Sequence, residues 1–359
     1  MTSGVPEGSG AAPQKGSGED MSGTARSHGK KGGRRQAPGS GVTVAGVGGL
    51  GGKMVDSMIR RLGTEGAGAI RFVSANSDSQ DLGRGLAPVK ILLGPETSRG
   101  RGCGGRPARG RRAAEEVKDE IRKALAGTEL LLIAAGMGGG TGTGAAPVVA
   151  EAAGAQDTPP VIVSLAATPF RWEIGRRKIS DRAVAGLLES CDCVIAMSNA
   201  AVEDNVICSA ASLVKTLEAA NGFVLGHAAG LAEMLAGAAE KDDWGFEILR
   251  DFFRGAGKGF VGVADGSGDR FREAVENALA SPFMAGRPPK GRARLAAGVM
   301  CGDDHLLDSS GIQAVIEMGA LVERETDMRF GLQCRCYRSA ALDGTGAIRA
   351  VVVAVGVSG

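Results

Sequence analysis

Six of the twelve residues in GMGGGTGTGAAP (136–147) are glycine. The stretch follows the apolar run LLLIAA and leads directly into the helix-forming sequence PVVAEAA. Glycine gives up more backbone freedom on folding than any other residue, so this density has to be offset by something only a bare backbone can do. Between the carboxyl end of a strand and the start of a helix, a glycine loop lets backbone N–H groups converge on an anion. The helix N-terminus adds its partial positive charge. Thr141 and Thr143 can donate hydroxyls to phosphate oxygens or hold a metal-bound water. Each helix-end contact contributes only about 0.3–1 kcal/mol, so a grip on phosphate needs several donors acting together. The competing reading is a loop kept small so that neighbouring elements pack closely.

A second loop, GVGGLGG (46–52), occupies the same strand–loop–helix position and contains a G-x-G-x-x-G. Alone that is a weak dinucleotide signal. A dinucleotide fold expects one such loop and an acid about 20 residues on, at the end of the second strand. Here that strand ends in Asn76, Ser77 and Asp78, and a richer glycine loop follows. A P-loop does not fit either, because Met54 stands where a hydroxyl residue should follow Lys53. A third segment, SRGRGCGGRPARGRR (98–112), combines glycine with guanidinium groups suited to a terminal phosphate. Its alternative is a solvated basic loop. Glycine loops at neighbouring strand ends fit one nucleotide with two or three phosphates, gripped from two sides.

The elements that must hold these loops follow from hydrophobic periodicity. VTVAGV reads as a buried strand, GGLGG as a turn, and KMVDSMIRRL as a helix with Met54, Val55, Met58, Ile59 and Leu62 on one face. IRFVSAN, LLLIAAG, VIVSLAA and CVIAMSN read as further strands, and RRAAEEVKDEIRKAL, APVVAEAA and DRAVAGLLES as helices. Strands alternating with helices give a parallel sheet covered on both faces. One long helical run then spans residues 203–240, followed by helical FEILRDFF and DRFREAVENAL. The last stretch predicts a smaller α/β unit: RARLAAGVMCG, a helix around 312–322, and the strands MRFGLQCRCYRS and AIRAVVVAVGV joined as a hairpin by LDGTG.

At 359 residues the chain is too long for one comfortable core, so two folding units are expected. Residues 1–40 are Gly, Ser, Pro and charge with little to bury, and read as a disordered basic tail. Without that tail the net charge is close to zero, which argues against a nucleic-acid partner. With one Tyr and two Trp, base-stacking platforms are also disfavoured. No apolar run approaches a membrane span and no secretion signal opens the chain, so a cytoplasmic location without integral membrane contact is expected. Seven cysteines do not suggest a disulfide framework. Cys191/Cys193 and Cys334/Cys336 alternate within expected strands, so each pair should share a face. Buried thiols are the reading preferred over a zinc site.

Taken together, GGGTGTG, GVGGLGG, NSDSQDL, TSRGRGCGGRPARGRRAAEE, TPFRWE and DRFREAVENALASPFM resemble segments of the tubulin/FtsZ family, on its bacterial side and in the same order. The resemblance implies an α/β fold with a parallel-sheet GTP-binding domain (41–202), a long central helix (203–240) and a smaller C-terminal α/β domain (241–359). It implies that GTP or GDP phosphates are held by Gly48, Gly49, Leu50, Gly51, Gly52 and Lys53, and by Gly138, Gly139, Gly140, Thr141, Gly142, Thr143 and Gly144. Asn76, Gly104 and Gly105 would stand beside them. Glu173 and Arg177 would hold ribose and phosphate, and Asn199 and Asn221 would face the guanine. Magnesium is compatible with such a nucleotide, and no side-chain metal site is expected.

The chain departs from the family pattern in four places. Asn221 stands where FtsZ usually has an aspartate, and an amide accepts with one oxygen only. Lys53 replaces an asparagine beside the phosphates. In FtsZ, acids after the central helix reach into the next subunit's GTP, which makes hydrolysis depend on assembly. Here that segment reads EKDDWGFEILRD, with an apparent insertion and the first aspartate missing. Asp242, Asp243 and Glu247 are the remaining catalytic candidates, and slow hydrolysis is expected, since losing one preorganised group can cost several kcal/mol. Finally, the family's linker and adaptor-binding peptide do not follow VVVAVGVSG, which points to an accessory paralogue. The expected function is a GTP-binding protein forming head-to-tail filaments with itself, and with a full-length FtsZ as a second partner. The alternatives are a non-hydrolysing regulator that caps or co-assembles with such filaments, and a dinucleotide-dependent oxidoreductase.

Overall fold

A computed structural model describes residues 41–207, 212–241, 243–267, 271–285, 294–302, 320 and 332–357. The expected tail (1–40) and the helix around 312–322 lie outside the described residues, apart from Ala320. The N-terminal part alternates as the sequence requires: β1 (Val42–Val47), α1 (Gly48–Gly66), β2 (Arg71–Asn76), α2 (Ser79–Arg84) and β3 (Val89–Leu92). Then come α3 (Pro107–Glu115), α4 (Lys118–Ala124), β4 (Leu130–Gly136), α5 (Thr141–Gly154), β5 (Val161–Thr168), α6 (Ile174–Ser190) and β6 (Cys193–Ser198). The remainder comprises α7 (Asn199–Ile207), α8 (Leu213–Lys241), α9 (Asp243–Phe253), β7 (Gly257–Ser267), α10 (Phe271–Leu279), β8 (Arg294–Cys301), β9 (Leu332–Arg338) and β10 (Ala347–Val357).

All ten strands join one sheet in the order β3-β2-β1-β4-β5-β6-β7-β10-β8-β9. Strands β1 to β6 pair in parallel, and β6 meets β7 through Cys193–Ile195 alone. The two expected units therefore share one sheet. Alternation along β1 sends Val42 and Val44 to one face, and Ala45 and Val47 to the other. The first face packs on Met54, Val55 and Met58 of α1 and on α8 and α9, and the second on α3, α4 and α5. Helix α10 covers the outer face of β7, β10 and β8 with Phe271, Ala274, Val275 and Ala278. Helix α8 is long and apolar enough to cross a membrane by composition, with mean hydropathy 1.3 over Val214–Ala239, but its side chains fill the core between the sheet and α1.

Several sequence expectations need correcting. The GGLGG turn is the first turn of α1 itself. The run RRAAEEVKDEIRKAL breaks at Glu116–Val117 into α3 and α4. The single run over 203–240 is two helices, α7 and α8. LDGTG does not close a hairpin: β10 pairs antiparallel with β7 and β8, and β8 separates it from β9. The reason is burial. Val351–Val355 is covered on both faces and needs a central place, whereas β9 carries Arg335 and Arg338 and suits an edge. Strand β7, which links the two halves, was missed because its glycines (GKGFVGVADGS) weaken the strand pattern.

Cys191 and Cys193 do not share a face either. Cys191 caps α6 just before the strand begins, and the two thiols fall in opposite cores. Burial pushes the Cys191 thiol up to about 12 and raises Cys193 as well, so neither is a ready thiolate ligand.

Candidate nucleotide site

The strand order reverses between β1 and β4: β2 and β3 lie to one side, β5 and β6 to the other. In an open parallel sheet, the crevice at the carboxyl ends of the strands beside such a switch point is where ligands bind. A cavity of about 360 Å³ opens there. Helix α1 starts from β1 and α5 from the loop after β4, so two helix N-termini converge on it. They touch: a Cβ on Gly48, whose φ is +74°, would lie 2.9 Å from the Gly142 nitrogen. Gly140 caps α5 with no side-chain hydrogen bond, which leaves the first-turn N–H groups of α5 available to an anion.

The glycines divide into two kinds. Some are needed for packing. A Cβ on Gly51 would lie 2.2 Å from the Ala134 carbonyl oxygen, and one on Gly142 2.5 Å from that of Gly136. A Cβ on Gly144 would lie 2.0 Å from the Pro107 oxygen, and one on Gly140 2.9 Å from both the Arg106 nitrogen and Cys103 Cβ. Gly104 and Gly105 turn the arginine-rich loop with φ of +57° and +71°, and that loop presses on Gly140 without lining the cavity. Gly138 (φ +88°) turns the chain against Pro169 and Arg176. Others are open: a Cβ on Gly139 would meet no atom within 4 Å, and Gly139 lines the cavity. Close packing thus accounts for some glycines of the motif, while Gly139 leaves open backbone on the cavity wall.

The structure brings Gly48, Gly49, Leu50, Gly139, Gly140, Thr141, Gly142, Glu173, Asn199 and Asn221 to the cavity wall. Thr141 Oγ1 lies 2.6 Å from Ser77 Oγ, which also accepts from the Cys103 thiol at 3.2 Å. Thr143 is buried away from the wall, with its hydroxyl unpaired. Asn76 turns the backbone instead, accepting from the Asp78 N–H at 3.2 Å. Gly52 and exposed Lys53 also fall outside the lining.

The far wall comes from the β5–α6 loop, the start of α7 and the first turns of α8. Glu173 accepts from the Phe170 N–H at 3.0 Å and pairs with Arg176. Arg176 lines the cavity and Arg177 does not. Arg177 follows it on α6, with its N–H bonded to the Glu173 carbonyl. Phe170 stacks on Trp172 at 4.3 Å between ring centroids, and buried Glu203 steadies this loop through the Arg171 N–H at 3.1 Å. Asn199 is only 9% exposed, and its Oδ1 has no partner. A buried, unpaired amide on a cavity wall fits a ligand that donates hydrogen bonds. Sequence reasoning missed Leu217, an apolar side chain 38% exposed on the wall. The available signal was its position four residues before Asn221, on the same face of α8.

The catalytic candidates are elsewhere. Asp242 lies outside the described residues, Asp243 opens α9, and Glu247 is exposed on α9. Phe246 approaches Gly41, and Arg250 pairs with Glu129 at 3.2 Å. Gly41 and Glu129 precede β1 and β4, so α9 sits at the amino ends of the strands, while the cavity is at their carboxyl ends. A strand of six residues separates the two by about 20 Å. Among the described residues, no three His, Cys, Asp or Glu side chains cluster to hold a metal.

The sequence pattern of the GTPase domain of the Tubulin/FtsZ family matches residues 41–206. Cell division protein FtsZ from Coxiella burnetii is 37% identical over 247 residues, 68% of this chain and 61% of that protein. Cell division protein FtsZ 1 from Rhizobium meliloti is 32% identical over 334 residues, 88% of this chain and 51% of its own length. The chain thus spans between half and two thirds of these relatives. Among solved structures, an empty FtsZ dimer from M. jannaschii superposes with a TM-score of 0.74 at 27% identity, covering 90% of this chain and 89% of that one. CetZ2 from Haloferax volcanii, at 22% identity and a TM-score of 0.68 over 87% of this chain and 92% of its own, shares the fold.

Proposed function

Because the chain belongs to the tubulin/FtsZ family through its GTPase domain, we propose that it binds GTP in the cavity at the β1/β4 switch point and assembles head to tail through that face. The N-terminal turns of α1 and α5 receive the phosphates, and Glu173 with Arg176 takes the ribose side. Asn199 and Asn221 read the guanine edge, while Leu217 packs on the base. The unpaired Asn199 oxygen supports this assignment, since guanine N1–H and its exocyclic amine are donors.

One observation carries the assembly: the cavity and the α8–α9 junction lie at opposite ends of the same strands. Glu247, on α9 at the amino ends of the strands, cannot reach a nucleotide in its own molecule. In a head-to-tail repeat it meets the cavity of the next copy, a heterologous contact that generates filaments. That a relative of 27% identity was solved as a dimer agrees with self-association. Hydrolysis is slow in this reading, because Asp243 and Glu247 stand in a shifted frame and a catalytic acid must come within about 2.6–3.2 Å of its target. Another FtsZ-type protein is the second partner in this reading.

Sedimentation with GTP, GDP, ATP and NAD, with phosphate release followed on the same samples, tests this. GTP-dependent pelleting with little phosphate is the expected result. Tight GTP binding without pellets would favour a capping regulator, and NAD binding without GTP binding would overturn the proposal. Glu247→Ala should leave GTP affinity of the monomer unchanged, and a large loss would show that this acid faces its own cavity.

A further inference from the structure

A second cavity lies apart from the glycine cradle, between α1, α8 and the paired strands β7 and β10. Its volume is about 350 Å³. Small-molecule sites span about 300–1,000 Å³. Helix α8 serves both cavities from opposite faces. Leu217 and Asn221 line the first, and Gly222, Phe223 and Gly226 line the second, about half a turn round the helix.

Two guanidinium groups enter this second cavity, Arg61 from α1 and Arg349 from β10. Arg349 is already engaged. Its Nε donates to Asp265, which faces it across the strands, at 2.6 Å, and its Nη1 donates to Glu233 at 2.7 Å. Arg61 has no such partner: among the described residues, no hydrogen bond or ion pair engages its half-buried side chain. Burial, and after it the charge of Arg349, lower the Arg61 pKa, and the attraction of Glu233 and Asp265 offsets this only in part. A half-buried cation beside a second cation lacks a counter-charge of its own. A planar acid group is the acceptor that a guanidinium fork fits best.

The apolar wall indicates the rest of the ligand. Gly222 and Gly226 lie one turn apart in the interior of α8, where glycine is disfavoured relative to alanine. Packing does not require them, since among the described residues a Cβ on either would meet nothing within 4 Å. Gly230, the next in this row, differs: a Cβ there would lie 2.8 Å from Val263. The first two glycines therefore keep open a space that the described residues do not fill. Phe223, 37% exposed, borders the same space and offers aromatic surface to a flat ligand.

We propose that this cavity is a second ligand site, for a small aromatic anion. Arg61 pairs with the acid group, and the rings lie against Phe223 and the bare turns of α8. The assignment does not depend on what occupies the glycine cradle.

Fluorescence titration of the full chain with 1-anilinonaphthalene-8-sulfonate, an aromatic anion, and with N-phenyl-1-naphthylamine, the same rings without the charge, tests it. Wild type should bind the sulfonate saturably and more tightly than the neutral amine. Arg61→Ala should weaken the sulfonate at least about tenfold, as loss of a hydrogen bond to a charged group does, and leave the amine nearly unchanged. Arg61→Lys, which keeps the charge, should recover part of the affinity. Gly226→Leu should fill the cavity and abolish binding of both probes there, while melting at or above wild type because leucine favours the helix. Equal affinity of wild type, Arg61→Ala and Gly226→Leu for the sulfonate, at matched melting temperatures, would overturn the proposal. Displacement of the probe by GTP, with Arg61→Ala binding it as wild type does, would put the probe in the glycine cradle and overturn the proposal as well. Should Gly226→Leu fail to fold, the comparison of wild type with Arg61→Ala decides alone.

Discussion

Gly139 and Gly144 lie five residues apart in one motif, yet substitution by alanine should have opposite effects. At Gly144 the new methyl would sit 2.0 Å from the Pro107 carbonyl oxygen and 2.6 Å from the Arg111 nitrogen. Carbon–oxygen contact requires more than 3 Å, so α3 and α5 must part by about 1 Å. Overpacking of this kind costs about 1–3 kcal/mol. Alanine returns about 0.8–1 kcal/mol of helix propensity, so Gly144→Ala is destabilised by up to about 2 kcal/mol. At Gly139 nothing lies within 4 Å of the added carbon, and the backbone is not in the left-handed region. There alanine stabilises through the unfolded chain by about 0.4–1 kcal/mol. The same methyl, however, projects into a cavity of about 360 Å³ where phosphate oxygens must come within about 3 Å of bare N–H groups. Gly139→Ala should thus melt at or above wild type and lose at least about tenfold in GTP affinity, the equivalent of one such hydrogen bond to a charged group. Gly144→Ala should melt lower. Calorimetric melting and GTP titration on the two proteins decide the matter. Gly139→Ala binding GTP as wild type would refute the cradle, and an undiminished melting temperature in Gly144→Ala would refute the packing assignment.

Two further outcomes follow from the wall and the core. Arg176→Ala should weaken GTP binding severalfold and Arg177→Ala much less, because only Arg176 lines the cavity; the reverse order in a titration would restore the sequence-based choice of Arg177. Buried His227 is neutral in the fold, with Nδ1 donating to the Phe223 carbonyl and Nε2 accepting from Ser281 Oγ, both at 2.8 Å, and burial depresses its pKa. Its contribution is therefore fully present above the unfolded value of 6.5 and is lost as pH falls below it, since the unfolded state binds the proton first. Melting temperatures from pH 7.5 to 5.5 should fall more for wild type than for His227→Gln, and parallel curves would show that His227 is not the group responsible.

The parallel half of the fold was legible because its signals are local. Each apolar run is long and each strand–glycine–helix junction carries its own turn chemistry, so β1, β2, β4, β5 and β6 could be read directly. The C-terminal half was not, because its strand order depends on burial from both sides. LDGTG is a sound turn sequence, but Val351–Val355 draws β10 between β7 and β8 and away from its neighbour in the chain. In the site, the positions read from glycine spacing reached the cavity where the backbone itself forms the wall. Lys53, Asn76 and Arg177 did not, because the direction of a side chain at a helix start or strand end depends on neighbours that spacing does not reveal. Leu217 was hidden by being an ordinary apolar residue in an apolar helix.

Helix α8 ties the two ends of this arrangement together. Its first turns bring Leu217 and Asn221 to the cavity, and Glu233, sixteen residues beyond Leu217 and about 24 Å along the axis from it, enters the buried core. There Glu233 accepts from Ser339 Oγ at 2.6 Å and from Arg349 at 2.7 Å, and Arg349 also reaches Asp265 at 2.6 Å. Parting a buried pair of this kind costs about 3–5 kcal/mol. Gly230 and Gly237 add a steric lock, since a Cβ at either would lie 2.8 Å from Val263 or Tyr337, and a shift in register would bring a larger residue to those points. Sliding α8 along its axis would oppose both the ion pair and the packing. Movement around the cavity is therefore cheapest in the glycine loops and the β5–α6 loop, with Leu217 and Asn221 as its fixed wall.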